Sequence, residues 1–192
     1  MRIRVEAACA AVLVLLAASV AVAQSAKTAP SPGPQVKKLA AYVGKWNVEA
    51  NVPPDAMGGS GGKTTGTLTC EWVADGYGVL CRENIPIPGA EPLADVYLMA
   101  YDDEAKNYYF CQVNVGGGVM AGRGTLDGDT WTWTVNSSER GKDFHMRFTE
   151  KFTSADVYEF KNEFAFTTDA MKVVMEGKET RVKGAAEKPA GE

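Results

Sequence analysis

From Lys45 to Val182 apolar and polar residues alternate with a period of two, in short runs broken by Gly, Pro, Asp or Asn. A period of two puts successive side chains on opposite faces, so each run reads as a strand with one face for a core and one for water. In the first run Trp46, Val48, Ala50 and Val52 fall on one face, and Lys45, Asn47, Glu49 and Asn51 on the other. The pattern returns over 64–73, 77–85, 93–101, 108–115, 119–126, 130–136, 143–153, 157–167 and 171–182. Strands that follow one another through short turns, with no helix between, pair antiparallel in a sandwich or a barrel. A closed barrel also removes the edges that long amphipathic strands would expose. The chain is therefore expected to be all-β, an antiparallel up-and-down β-barrel of about ten strands.

Ahead of the first strand, Val36, Leu39, Ala40 and Val43 follow helical spacing, and Gly44 ends the run. A short helix running directly into the first strand lies at the end where that strand begins. Alternate loops of such a barrel fall at opposite ends. The helix end carries mostly tight Asp/Gly turns. The other end carries Pro53–Lys63, Pro86–Pro92, Gly116–Gly118, Ser137–Lys142 and Thr168–Ala170. A pocket is expected to open there, with Pro53–Lys63 as its lid.

Composition adds a compartment. Arg2 and Arg4 precede the apolar stretch Ala8–Val20 and a small-x-small site at Ala21–Ala23. That is the layout of a cleavable signal peptide, residues 1–23, leaving a mature chain from about Gln24 in the periplasm or outside the cell. Its removal takes the formal charge from −4 to −5, since Arg2, Arg4 and Glu6 leave. The Pro-rich segment 24–33 reads as a disordered linker, 34–182 as the barrel and 183–192 as a disordered tail. The acidic balance, without any run of Lys or Arg, excludes a nucleic-acid binder, and no transmembrane segment is expected in the mature chain. Oligomeric state is not readable.

Export makes disulfides possible. Cys70 and Cys81 flank Asp75-Gly76, and a two-residue turn there places them directly opposite across the hairpin, so either a disulfide or two buried thiols is expected. Cys111 reads as a small buried hydrophobe.

Gly44-Lys45-Trp46 opening the first strand, the short helix before it and Arg181 on the last strand resemble the lipocalin, or calycin, signature. With Thr69-Cys70-Glu71-Trp72, Ala100-Tyr101-Asp102, Gly122-Arg123-Gly124-Thr125 and Glu179-Thr180-Arg181, the chain over 36–182 is similar to a bacterial family of exported lipocalin-like domains of unknown function. The resemblance implies a barrel that binds a small apolar ligand, and it brings no catalytic residues.

On the last run Met171, Val173, Met175, Gly177, Glu179 and Arg181 share a face. An even strand number sets that face beside the first strand, which places the Arg181 guanidinium near Trp46 as a structural pair at the closed end. Glu150 and Glu179 fall on inward faces and are read as partners that neutralise Arg181. Glu83 also alternates inward, as does Asn162 among Tyr158, Phe160, Phe164 and Phe166. The lone histidine, His145, shares its face with Arg147, Thr149 and Lys151 and points outward, so neither haem, metal nor a serine triad is expected, and no cofactor. Gly58–Thr64 fails as a phosphate-binding loop because a strand follows it rather than a helix.

The expected function is binding of a small apolar or amphipathic ligand inside the barrel, by Trp133, Met146, Phe148, Asn162, Phe164 and Met175. Two alternatives stand beside it. One is an interaction module of the cell envelope that uses its outer surface over a filled barrel. The other is an enzyme using the inward carboxylates Glu83 and Glu150, or Asn162.

Overall fold

In the computed structural model, residues 31–115, 117–139, 141–167 and 169–184 are described. The expected signal segment, most of the linker and most of the tail lie outside the described residues.

Ten strands follow in order: β1 (Gly44–Val52), β2 (Gly62–Val73), β3 (Gly78–Ile85), β4 (Leu93–Asp102), β5 (Asn107–Asn114), β6 (Val119–Asp127), β7 (Thr130–Glu139), β8 (Lys142–Ser154), β9 (Val157–Phe166) and β10 (Lys172–Arg181). Each pairs antiparallel with its sequence neighbours, and β10 closes on β1 with Trp46 opposite Arg181. Strict alternation is clearest on β1, where buried and exposed residues alternate along its whole length.

The segment before β1 is a single α-turn, α1 (Pro34–Lys37), that tightens into a 3₁₀ turn over Lys38–Ala41. The tightening changes which residues are buried. A 3₁₀ helix brings every third residue to one face, and Val36, Leu39 and Tyr42 are the buried ones while Ala40 is exposed. Tyr42 thus takes the core place that α-helical spacing assigns to Val43.

Tyr42 and the lower strand ends fill the closed end with aromatic rings. Trp131, Phe152 and Tyr158 each lie 5.4–6.1 Å from the Tyr42 ring, centroid to centroid. Trp46 Nε1 donates to the Tyr42 carbonyl at 2.7 Å. Above Trp46 the Arg181 guanidinium sits 4.1 Å from the ring centroid. It donates from Nη2 to the carbonyls of Ala41 and Ala155, both at 3.0 Å, from Nη1 to that of Val43, and it pairs with Asp156 at 3.2 Å. Gly44, at φ +134°, leaves room for this, since a Cβ there would stand 2.6 Å from Nη1.

Several expectations are corrected. Arg181 is neutralised by Asp156 and main-chain carbonyls rather than by Glu150 or Glu179. The face of β10 is not continuous: a bulge between Val173 and Met175 sets Val173 opposite the outward Glu163, so Met175, Gly177, Glu179 and Arg181 keep the inward register but Met171 and Val173 do not. The turn between β2 and β3 spans Ala74–Tyr77 rather than two residues, yet Cys70 still faces Cys81 and the two are disulfide-bonded. Cys111 is exposed, because on β5 the outward face is also apolar. His145, by contrast, is exposed on the outer face as expected, where Nδ1 meets Asn136 Oδ1.

Candidate functional site: an acid-lined cavity

Above the aromatic floor the barrel is hollow. A cavity of about 240 Å³ runs from the rim, where Met57, Asn114 and Met120 line it, down to Glu150 and Glu179. Its size follows from the strand number, since about eight strands enclose only what side chains fill and ten enclose more. Met57 comes from a 3₁₀ turn, Ala56–Gly58, in the long loop after β1. That loop leans on the next one, Ser60 donating from its backbone N–H to the Pro88 carbonyl at 2.8 Å.

The wall is apolar and adaptable. Five of the seven methionines line it: Met57, Met99, Met120, Met146 and Met175. Unbranched thioethers fill irregular space and repack around different shapes. Phe110, Trp133, Phe148 and Phe160 supply the rings. Trp133 also stacks on Trp131, their centroids 5.5 Å apart and planes 5° apart, which holds its indole upright in the wall.

Four carboxyl groups face this space: Glu83, Asp95, Glu150 and Glu179. Glu83 and Asp95 sit directly opposite each other on β3 and β4. Burial pushes Glu83 up to about 8, with the Asp95 charge adding to it. Burial raises Asp95 to about 6 against a lowering hydrogen bond that Gln112 donates to Oδ2. Glu150, on β8, is pushed up to about 7 by burial, although Tyr42 donates to its Oε2 and Trp133 Nε1 donates to the same oxygen at 3.1 Å. Glu179 is raised well above the ordinary carboxylate range, by burial first and then by Glu83. No Lys, Arg or His is among the described residues lining the cavity. Two carboxylate oxygens, Asp95 Oδ1 and Glu179 Oε2, are buried without a hydrogen-bond partner.

Of the residues expected to bind a ligand, Trp133, Met146, Phe148, Asn162 and Met175 line this cavity together. Phe164 does not; it stacks on Phe144 with centroids 5.4 Å apart. The inward carboxylates Glu83 and Glu150 reach the cavity, so protons are available to a bound molecule. Sequence reasoning missed Asp95, Tyr97, Gln112 and Tyr42. Leu93, Asp95, Tyr97 and Met99 do hold the inward register of β4, but Ala94, Val96, Leu98 and Ala100 make the other face equally apolar. Alternation cannot choose a side on such a strand.

Fold and site together define a closed ten-stranded antiparallel barrel with a small acid-lined interior. The chain belongs to the family described as Protein of unknown function (DUF1579), whose model matches residues 31–182. Among solved structures it is similar to the crystal structure of Rv2717c from M. tuberculosis, at 7% identity and a TM-score of 0.58, over 80% of this chain and 100% of that one. At that identity the likeness shows the fold alone. A comparison with curated proteins found no match. No described helix is long and apolar enough to cross a membrane.

Proposed function

We propose that this barrel is an exported, lipocalin-like protein that binds a small amphipathic molecule in its interior, non-enzymatically, in the periplasm or outside the cell. The observation that carries the reading is the gathering of five of seven methionines around one cavity that also holds polar groups. A barrel built only for stability fills its centre with rigid branched side chains; flexible thioethers around open space suit an occupant of changing shape. The volume, about 240 Å³, falls just below the roughly 300–1,000 Å³ of pockets for drug-sized ligands, so the occupant is small. The export part of the proposal rests on the n-region, apolar stretch and cleavage site over 1–23. Native mass spectrometry of protein from its own host tests the binding: a co-purifying small molecule that collisional activation removes is expected. A chain that carries none, and whose interior proves impermeable to small apolar probes, contradicts it.

One observation favours a second reading, an envelope interaction module. On the outer face of β4–β6, Val96 stands opposite Val113 and Val113 opposite Val119. They are 42%, 48% and 62% exposed, with exposed Leu98 and Cys111 beside them. Such patches mark interaction surfaces. On this reading Val113→Lys abolishes an association that the wild-type chain shows by sedimentation velocity in envelope extract; a wild-type chain that sediments alone excludes it.

A further inference from the structure

We propose that the ligand carries a positively charged nitrogen, an ammonium or amidinium head on a small apolar body, and that Glu83, Asp95, Glu150 and Glu179 receive that head. This rests on the reading of the cavity as a small-molecule site.

The interior is acidic without compensation. Buried carboxyl groups are ordinarily paired with a cation, and Arg181, which covers the floor, is turned away to Asp156 and to main-chain carbonyls. No basic side chain is among the described residues that line the cavity. Glu150 has two donors from the protein, Tyr42 and Trp133, Asp95 has one, Gln112, and Glu179 has Tyr158. Asp95 Oδ1 and Glu179 Oε2 have none, although Asp95 is 2% and Glu179 4% exposed. Both oxygens belong to residues that line the empty space, so a polar head entering the cavity is a partner that the protein's own side chains leave unsupplied.

The arrangement selects among donors. The carboxyls come from four strands, β3, β4, β8 and β10, near enough for Glu83 and Glu150 each to raise Glu179. Among the described residues no three acidic, His or Cys side chains are grouped to hold a metal ion. A bare cation therefore does not fit, whereas an organic head with several N–H donors reaches separated oxygens at once. An alcohol supplies a donor but does nothing to favour the ionised form of the raised acids, whereas a cationic head does and displaces a proton as it binds. A carboxylate or phosphate head finds no basic side chain among the described residues that line the cavity and opposes ionisation of the four acids. Tyr97, Phe110, Trp133 and Phe160 line the same space, and aromatic rings attract a cation over their faces.

Three probes of one shape, phenethylammonium, phenethyl alcohol and phenylacetate, separate these cases by isothermal titration near neutral pH. The ammonium is expected to bind at least about tenfold more tightly than the alcohol, the ratio a charge-assisted contact supplies, and phenylacetate not to bind. The double variant Asp95→Asn/Glu179→Gln is expected to lose at least about tenfold for the ammonium while the alcohol changes by less than about twofold. If that variant does not fold by near-ultraviolet circular dichroism, Glu83→Gln is expected to show the same selective loss. An alcohol that binds as tightly as the ammonium, or a phenylacetate that binds best, overturns the cationic head and leaves the small-molecule cavity standing. If none of the three binds, the cavity reading itself fails.

Discussion

At the residue scale the molecule is governed by how charges are placed at its two depths. Arg181 is spent at the floor: its guanidinium covers Trp46 and ties the end of the N-terminal helical segment to the end of β10. Gly44 permits this by having no Cβ and by adopting a left-handed φ. Gly44→Ala is therefore expected to destabilise the barrel by roughly 1–3 kcal/mol, the cost of such a conformation for a residue with a side chain, read as a shift in urea midpoint; an unchanged midpoint contradicts the packing described. The acids one layer up are a different case. Tyr42 and Trp133 hydrogen bonds favour the ionised form of Glu150, while burial opposes it more strongly. Tyr42→Phe removes one of those bonds, so the Glu150 titration followed by carbon-13 NMR of the carboxyl is expected to move upward from about 7. A downward movement places the hydroxyl's role elsewhere.

At the element scale, what was legible in the sequence depends on whether a strand has two distinguishable faces. β1, β7 and β8 do, and their inward sets, from Trp46 to Val52 and through Trp131, Trp133, Phe144 and Phe148, are readable directly. β4 and β5 are apolar on both faces, which hid Asp95 and misplaced Cys111. The bulge in β10 was hidden for another reason: inserting one residue flips the faces beyond it, and nothing in Met171–Val174 marks the insertion. The 3₁₀ turn hid Tyr42 in the same way, by changing the period from that of an α-helix. Two elements carry predictions. The β2–β3 hairpin is closed by Cys70–Cys81, eleven residues apart, and replacing both with Ser is expected to cost about 3 kcal/mol of unfolding free energy by loop closure, measured in guanidinium; no loss contradicts a structural bond. The loop after β1 brings Met57 to the rim, so Met57→Ala is expected to speed release of a bound probe several-fold in stopped flow, with stability unchanged. Equal release rates remove the lid from the account.

At the scale of the whole molecule the barrel concentrates unfavourable buried acidity in one place and offsets it with an aromatic floor and a closed hydrogen-bonded wall. Glu83, Asp95 and Glu150 hold protons more tightly folded than unfolded, at about 8, about 6 and about 7, against roughly 4 in the unfolded chain. The folded state thus carries extra protons across this window. Their contribution to stability is full below the unfolded values and is lost as pH rises through the folded ones, by up to about 1.4 kcal/mol per pH unit for each proton. Urea midpoints are expected to fall from mildly acid to mildly alkaline pH, and Glu83→Gln to flatten the alkaline part of the fall. A stability that rises over the same interval contradicts buried protonated acids. The central claim, that the interior receives a small amphipathic molecule, is tested most directly by the methionine methyl groups that line it. In carbon-13 methyl spectra, saturating phenethylammonium or phenethyl alcohol is expected to shift Met99, Met146 and Met175, which face the cavity, and to leave Met171, which does not, in place. A spectrum in which the lining methyls stay fixed while either probe is in large excess means that the barrel is closed to ligands.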